Sequence, residues 1–171
     1  MNRPGAHRPQ GRGLYTPEQR ARRDATVWTL VQGILAPLQF LVFLVSLALV
    51  VRYLLTGAGL EAATVSIVLK TLVLYTIMVT GAIWEKVVFG QYLLAPAFFW
   101  EDVVSFGVIA LHTLYLWALF AGWSPGAQMA VALAAYAAYV INAAQFLLKL
   151  RAARLEGERA ESAAARGEVA A

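Results

Sequence analysis

Residues 26–51 read TVWTLVQGILAPLQFLVFLVSLALVV, and none of them carries a charge. A helix of about 20 apolar residues crosses the hydrocarbon core of a bilayer, so this run is read as a membrane span, about 27–51. It is not read as a secretory signal, because its apolar core is too long and no small-residue cleavage pattern follows. The composition agrees. Of 171 residues, 60% are hydrophobic and 14% charged, against about 25% charged in an ordinary soluble domain.

Working outward, three more runs have the same character. Residues 62–84 are apolar except for Lys70, 103–123 except for His112, and 127–148 carry no charge but hold Asn142 and Gln145. The links RYLLTGAGLE and GWSPG are short. The expected fold is therefore all-α: an integral membrane four-helix bundle over 16–154, since backbone in lipid must satisfy its hydrogen bonds within helices. No strand pattern, repeat or second domain is visible.

Charge sets the expected orientation. Six arginines precede Asp24, and Lys149, Arg151, Arg154, Arg159 and Arg166 follow the last span. Positive residues stay on the cytoplasmic side, which puts both termini there. The net charge of +4 is thereby assigned to topology and anionic headgroups, and nucleic acid is not an expected partner. Residues 1–15 read as a basic disordered tail and 155–171 as a charged, frayed or disordered one. Thr16-Pro17-Glu18-Gln19 has the form of a capping box with Pro in the first turn, so a helix should start there and run toward span one. Pro37 should kink that span. Without cysteine, thiol chemistry, disulfides and cysteine-held metals are excluded.

The segment 82–106, AIWEKVVFGQYLLAPAFFWEDVVSF, places carboxylates at both ends of an uncharged run. That run is too short to cross and reads as an interfacial or re-entrant segment between spans two and three. Phe89, Tyr92, Phe98, Phe99 and Trp100 fall where aromatic rings settle, at headgroup level, and would form an aromatic floor, with Trp84 beside it as an interface anchor. Beside it, Glu85, Glu101 and Asp102 would lie in a water-poor mouth that raises carboxylate pKa values. The plainer reading is that Glu85 and Lys86 end one helix while Glu101 and Asp102 favour the start of the next.

Polar residues inside the spans add detail. Glu101 and His112 share a helix face roughly 16 Å apart, with Ser105 and Val108 between. His112 is either a structural hydrogen-bonder or a ligand or proton-transfer group. Lys70 is expected to snorkel outward. Gln32, Gln39, Asn142 and Gln145 are expected to bond between helices. A bis-histidine haem is excluded, because the second histidine, His7, lies in the tail. A small proton-coupled transporter is disfavoured, since such proteins bind near mid-membrane and these acids sit at helix ends.

The runs 14–54, 79–105 (VTGAIWEKVVFGQYLLAPAFFWEDVVS) and 135–156 (AYAAYVINAAQFLLKLRAARLE) resemble the 3-vinyl (2-vinyl) bacteriochlorophyllide hydratase family. The likeness covers about 14–156, and its most specific parts are the two Trp-Glu motifs and Ala-Pro-Ala-Phe-Phe. It implies an enzyme of bacteriochlorophyll biosynthesis in phototrophic bacteria. Such an enzyme hydrates the C3-vinyl group of a chlorophyllide or bacteriochlorophyllide to 1-hydroxyethyl. It also implies a multi-pass protein of the bacterial inner membrane, with other pigment-biosynthesis enzymes or a second copy as further partners.

The resemblance carries no catalytic residues, so roles are assigned from this chain. Glu101 is the expected general acid, because adjacent Asp102 makes joint ionisation costly. Glu85, beside Lys86, is the expected water-orienting base; Asp102 in place of Glu101, and the reverse assignment, stay open. The rings of Trp84, Tyr92, Phe98, Phe99 and Trp100 would carry the macrocycle and favour a developing cation. His112, or a water, would meet the substrate's own Mg. No redox cofactor is expected, because hydration moves no electrons, and no protein metal is expected beside the substrate's own Mg. The competing reading is a non-catalytic tetrapyrrole-binding or assembly protein, which would tolerate Gln at 85 and 101.

Overall fold

The computed structural model describes residues 14–169; most of the basic tail, with His7, lies outside the described residues. The element order is α1 (Pro17–Ala25), α2 (Val27–Thr56), α3 (Leu60–Phe89), α4 (Phe99–Phe120) and α5 (Pro125–Val169).

The capping box forms as expected: Gln19 N–H donates to Thr16 Oγ1 and Thr16 N–H to Gln19 Oε1, with Pro17 in the first turn. The helix does not run on into the first span. Thr26 takes extended backbone, ends α1, and caps α2 by accepting from Trp28 N–H. Thr29 Oγ1 returns a hydrogen bond to Arg23 O at 2.6 Å, fixing the corner. α2 continues through Pro37.

Among the described residues, helices α2 to α5 are the four apolar elements long enough to cross a bilayer. α2 and α3 have 30 residues each, about 45 Å of helix against about 30 Å of hydrocarbon, so their ends project. α5 has 45 residues. Its charged continuation past Leu148 is helix as far as Val169. Each helix buries only a narrow stripe. On α2 it is Gln39, Phe43, Ser46 and Val50, one face of a 3.6-residue repeat. Leu30, Ile34, Leu41, Val45 and Leu55 stay exposed on the same helix. An apolar surface of this kind belongs against lipid, and the chain is a multi-pass membrane bundle.

The helices pack as two antiparallel hairpins. α2 and α3 are tied by Ser46–Ser66 at 2.8 Å, Gln32–Thr80 at 2.8 Å and Thr29–Trp84 at 2.9 Å. α4 and α5 are tied by Asn142–Ser105 and Lys149–Glu101. The hairpins meet along Phe43, Tyr136 and Tyr139, with ring centroids 5.0–5.4 Å apart, and through Lys70–His112. The expected interhelix bonds of Gln32 and Asn142 are thus present. Gln39 and Gln145 make none through their buried amide oxygens.

Lys70 does not snorkel. It is fully buried, donates to His112 Nε2 at 2.7 Å and lies 4.0 Å over the Tyr139 ring. Its position faces the bundle seam rather than lipid, so the inward route gives the ammonium a nitrogen acceptor and a ring face.

Candidate active site

α3 stops at Gly90, whose φ of 89° closes the last turn with its N–H on Lys86 O. A turn-rich loop, 91–98, then folds back before α4. Within it Leu94 takes φ 59°, uncommon outside glycine. That twist turns two successive amides toward the helix ends. Leu94 N–H donates to Asp102 Oδ2 at 2.7 Å and Ala95 N–H to Glu85 Oε2 at 3.2 Å. Successive amides aimed at anions form a nest. The loop and the two carboxyl groups therefore position each other.

Glu85 and Asp102 are 5% and 3% exposed, and their carboxyl groups are within hydrogen-bonding reach of each other. Both lie just beyond the apolar runs 62–84 and 103–123. Burial, and then the charge of Asp102, push Glu85 up to about 8. Burial raises Asp102 as well. The pair holds one proton at neutral pH. Asp102 has the shorter amide bond and stands in the first turn of α4, where the helix dipole favours an anion. Glu85 stands near the C-terminus of α3, where the dipole disfavours one. The proton accordingly belongs on Glu85.

This pairing differs from the one expected. Asp102 turns toward Glu85 across the loop, not toward its neighbour Glu101. Glu101 forms an ion pair with Lys149 of α5, 27% exposed. Lys86 does not serve Glu85: its Nζ donates to Gly90 O at 2.7 Å and sits over the Tyr92 ring, closing the end of α3. Lys149 was visible only as one of several basic residues after the last span.

The aromatic residues divide. Phe98 is buried at the centre of a cluster with Tyr15, Trp84, Phe89 and Phe146, centroids 5.7–6.4 Å apart. Trp84 also donates to Thr29 Oγ1. Trp84 and Phe98 are therefore packed into a plug under the loop, not laid open as a floor. Tyr92, Phe99 and Trp100 are 60%, 41% and 69% exposed and form the outer rim.

His112 lies apart from the carboxyl groups. The expected face Glu101, Ser105, Val108, His112 is buried as a stripe, but both ring nitrogens are engaged. Val108 O only accepts, so Nδ1 carries the proton at 2.8 Å from it, and Nε2 accepts from Lys70. Neither nitrogen is presented to a ligand.

Comparison with known proteins follows the same outline. Residues 15–152 match the family described as 2-vinyl bacteriochlorophyllide hydratase. A protein named 2-vinyl bacteriochlorophyllide hydratase from Cereibacter sphaeroides is 77% identical over 150 residues, 88% of this chain and 94% of that protein. One of the same name from Rhodobacter capsulatus is 76% identical over 148 residues, 86% of each. No solved structure matches. With most of its length shared at such identity, the chain belongs to the 2-vinyl bacteriochlorophyllide hydratase family.

Proposed function

We propose that this chain hydrates the vinyl group of a chlorophyllide or bacteriochlorophyllide to a 1-hydroxyethyl group, as the names of its relatives indicate. The observation that carries this reading is the 77% identity to a named hydratase across most of both chains. The paired carboxyl groups supply chemistry suited to it.

The steps follow from the needs of the reaction. The proton held by Glu85 goes to the terminal vinyl carbon, leaving a cation on the carbon bonded to the macrocycle. The conjugated ring delocalises that charge, and Asp102, beside it, favours it electrostatically. Water adds at the cationic carbon, and its released proton returns to the carboxyl pair, restoring the resting state. No electrons move, so no redox cofactor is required, and the Mg belongs to the substrate. The macrocycle arrives laterally from the bilayer across the rim of Tyr92, Phe99 and Trp100. Glu101 serves as the partner of Lys149, supporting the α4–α5 end of the site, and His112 supports the bundle.

The arginine-rich tails favour both termini in the cytoplasm, with the 91–98 loop at that interface of a bacterial inner membrane. The test is incubation of membranes containing the chain with a 3-vinyl chlorophyllide. A product heavier by one water is expected. A pigment retained on the protein at unchanged mass would favour a carrier instead.

A further inference from the structure

A chlorophyllide differs from a chlorophyll in one group: lacking the esterifying alcohol, it carries a free propionate. The metallated macrocycle is otherwise apolar and neutral, so that carboxylate is the charge by which a protein can recognise it. The propionate sits on the ring adjacent to the one that bears the vinyl group. With the vinyl group at the acid pair, a cation that receives the carboxylate has to stand on one flank of that pair.

Lys149 stands there. Asp102 N–H donates to Phe98 O at 3.0 Å, and Phe98 N–H donates at 2.8 Å to the carbonyl of Ala95, the residue whose own N–H holds Glu85. On the other side of the same turn, Lys149 Nζ lies 5.2 Å from the centre of the Phe98 ring. The acid pair and the ammonium therefore flank one residue, and the charge of Lys149 is felt at Asp102. An ammonium has three N–H donors. Glu101 takes one, and the side chain is 27% exposed, so the others can meet an incoming acceptor. Glu101 stands in the first turn of α4 with Phe99 and Trp100, the rim over which the macrocycle enters.

The other cations near the mouth are less suited. Lys86 is exposed while adjacent Glu85 is buried, so it points away from the pair, and its Nζ closes α3 on Gly90 O. Arg23 is paired with Asp24 and lies over the Tyr15 ring. Without Lys149, an anionic substrate would meet Glu101 and Asp102 unshielded, and juxtaposed like charges oppose binding.

We propose that Lys149 receives the free propionate of the pigment and so selects the free acid over its esters. Glu101 holds the ammonium in place in the empty site and shares it when the carboxylate arrives. The proposal rests on the hydratase reading, and the test separates the two. A vinyl chlorophyllide and its methyl ester differ only at the propionate. Binding of each to the full-length protein is read from quenching of tryptophan fluorescence, and hydration from product mass. Wild type should bind the acid about 10-fold more tightly than the ester, the scale of one charge-assisted hydrogen bond at a partly exposed site. Lys149→Met should weaken the acid by about that factor and the ester by less than about 2-fold, with the loss in KM rather than kcat. Glu101→Gln/Lys149→Met, which leaves no carboxylate without its partner, should lose the preference equally, and Lys149→Arg should keep it. Preference for the acid through Lys149 without any hydration would sink the hydratase reading and keep the anchor. Equal binding of acid and ester by wild type, a preference that survives in both Met variants, or equal losses for the two pigments would each overturn the proposal, leaving Lys149 a partner of Glu101 and lipid headgroups only.

Discussion

Glu85→Gln isolates the proton from everything else Glu85 does. The glutamine keeps the length and an oxygen to accept from Ala95 N–H, now 3.2 Å from Glu85 Oε2. Its NH2 donates to the Asp102 carboxylate where the acid O–H did. Every hydrogen bond at the loop survives, and the half-neutralised pair becomes one permanent neutral group beside one carboxylate. The fold should hold, with melting in detergent within a few degrees of wild type. Only the transferable proton is gone. Loss of a general acid costs at least ~100-fold, about 2.7 kcal/mol of barrier at 1.36 kcal/mol per decade. It should appear in kcat, with pigment binding retained. The assay is turnover of a vinyl chlorophyllide in membranes matched for folded protein, read by product mass. The pH profile gives the sign. The acid form is required, so wild-type activity is present below pH about 8 and lost as pH rises through it. Because the folded-state pKa is raised, the proton's contribution to stability also fades toward that pH, and Glu85→Gln should flatten both limbs. Hydration by the variant at near the wild-type rate would refute the assignment.

Three further outcomes are expected. Glu101→Gln should retain turnover within about 10-fold and cost no more than about 1 kcal/mol, since its partner Lys149 is partly exposed; a loss equal to that of Glu85→Gln would move the acid back to Glu101. His112→Ala strips the buried Lys70 of its acceptor and should lower bundle stability by about 1–3 kcal/mol, read by thermal unfolding, with pigment affinity unchanged; weakened affinity at unchanged stability would restore a ligand role. Reporter fusions after Gly59 and Ser124 should read periplasmic and one after Gln91 cytoplasmic; a periplasmic signal at Gln91 would invert the bundle.

Features governed by local periodicity were legible in the sequence. The long apolar runs set the four spans, Thr16 and Gln19 announced their capping box, and 3.6 residues per turn put Glu101, Ser105, Val108 and His112 on one face. What lay across a turn or between helices was not. The partner of Asp102 depends on Leu94 entering φ > 0, which places Glu85, not adjacent Glu101, within reach. Lys86 looked like a neighbour of Glu85, yet a side chain near a helix C-terminus gains more from the free carbonyl of Gly90. Lys70 looked able to reach the interface, but its acceptor is on another helix. Thr26 was hidden in an apolar run because a cap is decided by one hydroxyl, not by hydropathy. The unmatched amide of Gln39 emerges only once the α2–α5 seam is assembled.

The account turns on one proton remaining on the Glu85–Asp102 pair at neutral pH, and infrared difference spectroscopy of the full-length protein in membranes reads it directly. Wild type should show a buried carboxylic-acid C=O band at neutral pH that bleaches as pH rises through about 8, is absent in Glu85→Gln and persists in Glu101→Gln. No band at neutral pH, or a band that disappears in Glu101→Gln and survives in Glu85→Gln, would contradict it.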